Sequence, residues 1–151
     1  MLRLSKKMLF AIEAVLDIAY HSASAPVQSY QITKRQGIPR RYLEQALQHL
    51  VRGDVLIGVR GPKGGYRLAR ERRRISVADI VRVVQIMEKN ENRDDDTLES
   101  DLGQKVVQPL WSELQEEMTA RLEDVSIDDL CSRAKDEGVV SEGQRNLDFI
   151  I

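Results

Sequence analysis

The chain has 151 residues, 42% hydrophobic and only 5% aromatic, enough for one aliphatic-cored domain with an appendage. One cysteine excludes an internal disulfide, and no stretch approaches the roughly 20 apolar residues that span a bilayer. The net charge of −1 conceals a division: residues 1–84 hold 16 Lys/Arg against 6 Asp/Glu, and residues 85–151 hold 7 against 18. A basic N-terminal part (+10) joined to an acidic C-terminal part (−11) points to a polyanionic partner, nucleic acid, for the first part alone. Arg3, Lys6 and Lys7 precede an apolar run as in a signal peptide, but Glu13 and Asp17 interrupt it. A soluble, cytoplasmic, nucleoid-associated protein is the expectation.

In chain order, Ser5 caps a predicted helix to about Ser22, with Leu9, Ile12, Leu16 and Ala19 at helical spacing. Ser24-Ala25-Pro26 breaks it. A short helix over Ser29 to Gln36 is stopped by Gly37, and a third runs from Pro39, in its first turn, to Arg52. Helix, tight glycine turn, helix is the helix-turn-helix pattern. Indexed at about 100° per residue, the third helix puts Leu43, Ala46, Leu47 and Leu50 on one face. Arg41, Gln45, Gln48 and Arg52 fall opposite, with Glu44 and His49 at the margins and Tyr42 beside the apolar stripe. Such a polar face suits base edges and phosphates, although an isolated helix carries one for solvation alone.

A hairpin follows: Val55 to Val59 leads in, Tyr66-Arg67-Leu68 leads out, and Arg60-Gly61-Pro62-Lys63-Gly64-Gly65 forms the tip. Its glycines permit positive φ and close approach to another surface, and Arg60 and Lys63 make it a basic finger, the wing of a winged helix. Arg70, Arg72, Arg73 and Arg74 form a second cluster able to lie along phosphates. Ser76 and Asp79 form a capping box for a helix carrying Val77, Ile80, Val81, Val84 and Met87. Residues 88–103 are acidic and read as a flexible linker. Asp94-Asp95-Asp96 there lacks the glycine and distal glutamate of a calcium loop, so no metal site is expected. An apolar stripe returns from about Pro109: Val107, Leu110, Trp111, Leu114, Met118, Leu122 and Val125. It needs a surface, which is either a second copy or the chain's own domain. Ser126 and Asp129 start a last helix with Ile127, Leu130 and Cys131 inward, ended by Gly138, and the tail closes on Phe149-Ile150-Ile151.

The segments Leu4-Ser5-Lys6, Arg35-Gln36-Gly37-Ile38, Tyr42-Leu43-Glu44-Gln45, Val59 to Leu68 and Leu110-Trp111 together resemble the Rrf-two family of bacterial winged-helix regulators. The likeness covers roughly residues 1–135, and Tyr-Leu-Glu-Gln followed by Arg-Gly-Pro-x-Gly-Gly-Tyr is a specific combination. It implies a mainly α fold with a small β-hairpin: a winged helix-turn-helix domain plus a long C-terminal dimerisation helix. The expected division is 1–87 DNA-binding domain, 88–103 linker, 104–137 dimerisation helix with a short following helix, and 138–151 tail. By position, Arg41, Tyr42, Glu44 and Gln45 fall where the family meets the major groove. Arg60, Lys63, Gly64 and Gly65 fall where its wing enters the minor groove. Leu110, Trp111, Leu114, Met118 and Leu122 fall at its dimer interface. The expected partners are double-stranded DNA at a pseudo-palindromic operator, a second copy of the chain, and an effector or partner protein of unknown kind.

The resemblance departs at the places where cluster-binding members carry three cysteines and a histidine. Here those places hold Arg93, Glu99, Lys105 and Gln108, so no iron–sulfur cofactor is expected. Cys131 lies outside them, as a buried hydrophobe or a redox switch. The function expected is a dimeric, sequence-specific regulator, a repressor. The alternative is a protein-interaction module keeping the fold without DNA binding, which the intact wing glycines and the basic half oppose. An enzyme is not expected: no Ser/His/Asp set, Cys/His set or phosphate loop stands out.

Overall fold

The computed structural model describes residues 5–22, 25–91 and 98–142. Helix α1 spans Lys6–His21, and the Ser5 side chain accepts from the Met8 amide at 3.2 Å, as its capping position predicts. Ala11, Ala14, Val15 and Ile18 lie at 0% exposure, and α1 packs against every later helix of the domain and strand β2 (Gly65–Leu68). Helix α2 spans Ser29–Gln36, and Gly37 closes it in the left-handed region at φ 68°. Helix α3 spans Arg40–Arg52, with Pro39 as its cap rather than inside the first turn. Four of its residues, Leu43, Ala46, Leu47 and Leu50, are at most 1% exposed, each leucine contributing about 2 kcal/mol of burial.

Strand β1 (Leu56–Val59) pairs antiparallel with β2, from Leu56 opposite Leu68 to Val59 opposite Gly65. Val27 adds a single bridge to Tyr66, with N–H···O contacts of 3.0 and 2.8 Å. After a single 3-10 turn at Arg72–Arg74, helix α4 spans Val77–Glu91, running past the expected end at Met87. Its capping box forms both ways: the Ser76 hydroxyl accepts from the Asp79 amide and the Asp79 carboxylate from the Ser76 amide.

Residues 92–97, with Arg93 and the Asp triplet, lie outside the described residues, as do Leu4 and the tail end Phe149-Ile150-Ile151. Helical structure resumes at Asp101, where the Ser100 hydroxyl accepts from the Gly103 amide at 3.0 Å. A π segment, Gly103–Val107, runs unbroken into α5, Gln108–Glu123. The Gln108 amide reaches the Gly103 carbonyl, five residues back, so the wider turn falls just before Pro109. Proline has no amide to donate and its ring crowds the carbonyl four residues earlier; the wide turn relieves both faults without breaking the helix. Helix α6 (Ile127–Asp136) has its own reciprocal box, Ser126 with Asp129. A bridge of Ser76 to Ser126 ties the starts of α4 and α6 together, so Ile127 and Cys131 join the core beneath α1.

Candidate nucleic-acid interface

The turn between α2 and α3 is held from below by a buried carboxylate. Asp17 on α1 is 2% exposed and accepts from Arg35 through both oxygens, at 2.9 and 2.8 Å, and from Gln36 Nε2 at 2.8 Å. A fork-to-fork pair plus an amide satisfies the buried charge and fixes the end of α2 on α1 immediately before Gly37. The angle at which α3 leaves the turn follows from that anchor.

The outward face of α3 carries Arg41, Glu44, Gln45 and Gln48, all exposed, with His49 half-buried at its edge. Arg40, in the first turn, donates from Nε to Glu44 Oε1 at 3.1 Å. No acidic residue occupies the first turn and no side chain caps it, so Arg40 and Arg41 sit at the positive end of the helix dipole. That placement disfavours the isolated helix and favours a nearby anion. Tyr42, one of the predicted contacts, turns sideways: its ring lies 6.0 Å from that of Phe10 and its hydroxyl donates to the Lys7 carbonyl. It fixes the first turn of α3 against α1.

At the wing tip Arg60, Pro62 and Lys63 are exposed, whereas Gly64 is buried. The glycines there are demanded by the chain's own backbone. A Cβ on Gly64 would stand 2.2 Å from the Val59 carbonyl oxygen, and one on Gly65 (φ 148°) 2.5 Å from that of Val27. Gly61 takes φ 108°, the positive φ expected of the tip glycines, and its carbonyl accepts from the Gly64 amide at 2.9 Å. Gln28, capping α2, donates from Nε2 to the Pro62 carbonyl at 3.3 Å. The wing is thereby moored to the helix-turn-helix at its strand, through Val27, and at its tip, through Gln28. Arg60, Lys63 and the α3 face belong to one braced unit.

The second basic cluster is different. Arg70 reaches Asp79 at 3.5 Å, Arg72 reaches Asp128 at 2.7 Å and Arg73 reaches Glu71 at 2.7 Å. These arginines join the 3-10 turn to α4 and α6 and are partly neutralised, which sets them apart from the wing cations. The proposed interface residues of α5 lie elsewhere again. Leu110 (55%), Trp111 (44%) and Leu114 (36%) are exposed, Met118 and Leu122 are half-buried, and no residue of α5 is buried. Leu102, Val106 and Val107, at 74%, 58% and 51%, extend the exposed apolar stripe through the π segment.

Among the described residues no group of three or more His, Cys, Asp or Glu could hold a metal. Glu99, Lys105 and Gln108 offer one carboxylate, one ammonium and one amide. Cys131 is 3% exposed; burial pushes its thiol up, against the Arg72 guanidinium beside it, which pulls it down. No helix among the described residues is long and apolar enough to cross a membrane.

The Rrf2 family, described as "Iron-dependent Transcriptional regulator", matches residues 4–133 of the chain. The chain is 35% identical over 134 residues to the HTH-type transcriptional regulator IscR of Xenorhabdus nematophila, covering 85% of this chain and 79% of that one. Among solved structures it is similar to T. potens IscR, with TM-score 0.72, 30% identity and 93% of each chain covered. CymR, the global cysteine regulator of B. subtilis, shares the fold at TM-score 0.66 and 23% identity, over 88% of this chain and 98% of that one. The chain's one cysteine, Cys131, is buried, so the chain has fewer thiols than the three that cluster-binding members of the family carry.

Proposed function

The chain belongs to the Rrf2 family of DNA-binding transcription regulators, and on that premise we propose that it acts as a homodimer on a pseudo-palindromic operator, as a cytoplasmic, nucleoid-associated repressor without an iron–sulfur cluster. The observation that carries the proposal is the braced unit of α3 and wing. It presents Arg41, Glu44, Gln45 and Gln48 on one rigid face and Arg60 and Lys63 on an adjoining finger. A helix of this width fits the major groove, where arginine, glutamine and glutamate each have base-edge partners. The finger fits the flanking minor groove or its phosphates. The partly open apolar stripe of α5 supports the dimer, since Leu110, Trp111 and Leu114 are exposed and Met118 and Leu122 only half-buried. We divide the chain accordingly into a DNA-binding domain at 1–87, a connection at 88–103 and a dimerisation region at 104–137.

Selection of bound duplexes from a random pool tests the proposal. Enrichment of a two-fold-related sequence with half-sites about 34 Å apart, or a multiple of that turn, is expected. Arg60→Ala and Lys63→Ala should each weaken binding to every duplex and lower the salt slope by about one. A pool without enrichment overturns sequence-specific binding. Protein purified without oxygen should be colourless and its DNA affinity indifferent to iron chelators; brown protein with stoichiometric iron and sulfide overturns the clusterless reading.

A further inference from the structure

We infer that Arg40 is a specificity-determining residue that acts through Glu44, holding that carboxylate in place to read a base edge. The inference rests on the operator-binding reading above and deepens it. Arg40 lies outside the contacts that the family resemblance implies, and stability does not account for its position. It stands in the first turn of α3, at the positive end of the helix dipole, where a cation is unfavourable. Its ion pair with Glu44 is exposed, 84% on the arginine and 52% on the glutamate, and runs with the cation N-terminal, the weaker orientation for such pairs.

On DNA the same pair acquires a purpose. A glutamate facing the major groove accepts from the amino group of cytosine, yet its charge is repelled by the phosphates on either side. Arg40 engages one carboxylate oxygen, Oε1, at 3.1 Å, and among the described residues the other has no partner. One oxygen is therefore fixed and the second is left for a base. Lys34 and Tyr30 of α2 line the same cleft as Arg40 and Glu44. Duplex binding excludes water from this cleft, and the pair that is weak in solvent becomes stronger there.

The test measures affinities of the wild type, Arg40→Gln, Arg40→Lys, Glu44→Gln and the double Gln variant. The duplexes carry each base pair in turn at every position of the selected half-site, at two salt concentrations. The wild type should prefer one base pair at the position read by Glu44 by about tenfold. Arg40→Gln and Glu44→Gln should each reduce that same preference to about twofold, the double variant should lose no more, and Arg40→Lys should retain part of it. Equal weakening of all duplexes by Arg40→Gln, with a salt slope lower by about one, makes Arg40 a phosphate contact and overturns the inference. A changed preference at a different base pair from that of Glu44→Gln makes it a direct reader and also overturns it. Absence of any preference in the wild type shows failure of the operator-binding reading itself, before a variant is compared.

Discussion

Helices α3 and α5 are both amphipathic, and they treat their apolar faces in opposite ways. In α3 four apolar residues are at most 1% exposed, and every exposed residue is polar. In α5 nothing is buried, and Leu110, Trp111 and Leu114 remain open. Helix α3 has its apolar face covered within the chain, whereas the long helix keeps much of its own exposed. Among the described residues the buried core contains none from α5, which packs along α4 and keeps much of its stripe exposed.

That contrast is most sharply broken by Leu114→Asp. The fold should survive, with wild-type helix content at 25 °C by circular dichroism, because Leu114 is not part of the core. A dimer held by the stripe should be lost, and operator affinity should fall on the order of a thousandfold as two linked half-site contacts become independent. Sedimentation and DNA titration read the two effects separately; a variant still dimeric places the interface elsewhere. Asp17→Ala strikes the covered side instead. It leaves Arg35 and Gln36 without the carboxylate they share and should cost about 3 kcal/mol in denaturant unfolding. A cost under about 1 kcal/mol would mean that the α1–α2 anchor is not formed in solution.

The smallest effect concerns His21, at the end of α1. Its Nδ1 accepts from the Glu142 amide at 3.0 Å and its Nε2 lies 3.9 Å from Asp17. Burial lowers its pKa below the ordinary 6.5, with the carboxylates of Asp17 and Glu142 pulling it up and Arg35 pushing it down. The unfolded chain thus takes up the proton first. This contribution to stability is whole above about pH 6.5 and declines as pH falls below it, until the folded histidine protonates too. His21→Gln should remove the decline seen between pH 7 and 5. Identical pH profiles for the two proteins would remove His21 from the account.

Local signals were legible in the sequence, and long-range ones were not. Ser5, Gly37, Ser76 with Asp79 and Ser126 with Asp129 announce caps and stops within three or four residues of the groups they bond, and each sits where its chemistry predicts. The apolar face of α3 follows equally from spacing. The Asp17–Arg35 pair spans 18 positions, and a buried carboxylate is written with the same letter as a solvated one. The wing glycines were legible as glycines but not for their cause, since the carbonyls of Val59 and Val27 that forbid a side chain are set by strand packing. Acidic composition likewise hid the start of the long helix: Leu102 and Val106 follow a run of carboxylates, and the fold shows them carrying the stripe back beyond Val107.

The wide turn before Pro109 also sets the phase of that stripe. Residues four apart on an α-helix overshoot a full turn by about 40°, so Leu102, Val106, Leu110 and Leu114 would wind steadily around a regular rod. A turn with one extra residue takes back much of that overshoot and keeps the four side chains nearer to one line. The insertion works as a vernier between two lengths of helix. Deleting a single residue from Gly103–Val107 would turn the wide turn into an ordinary one and leave the two lengths nearly in phase, whereas regularising it at unchanged length would turn one about 100° against the other and divide the apolar edge in two.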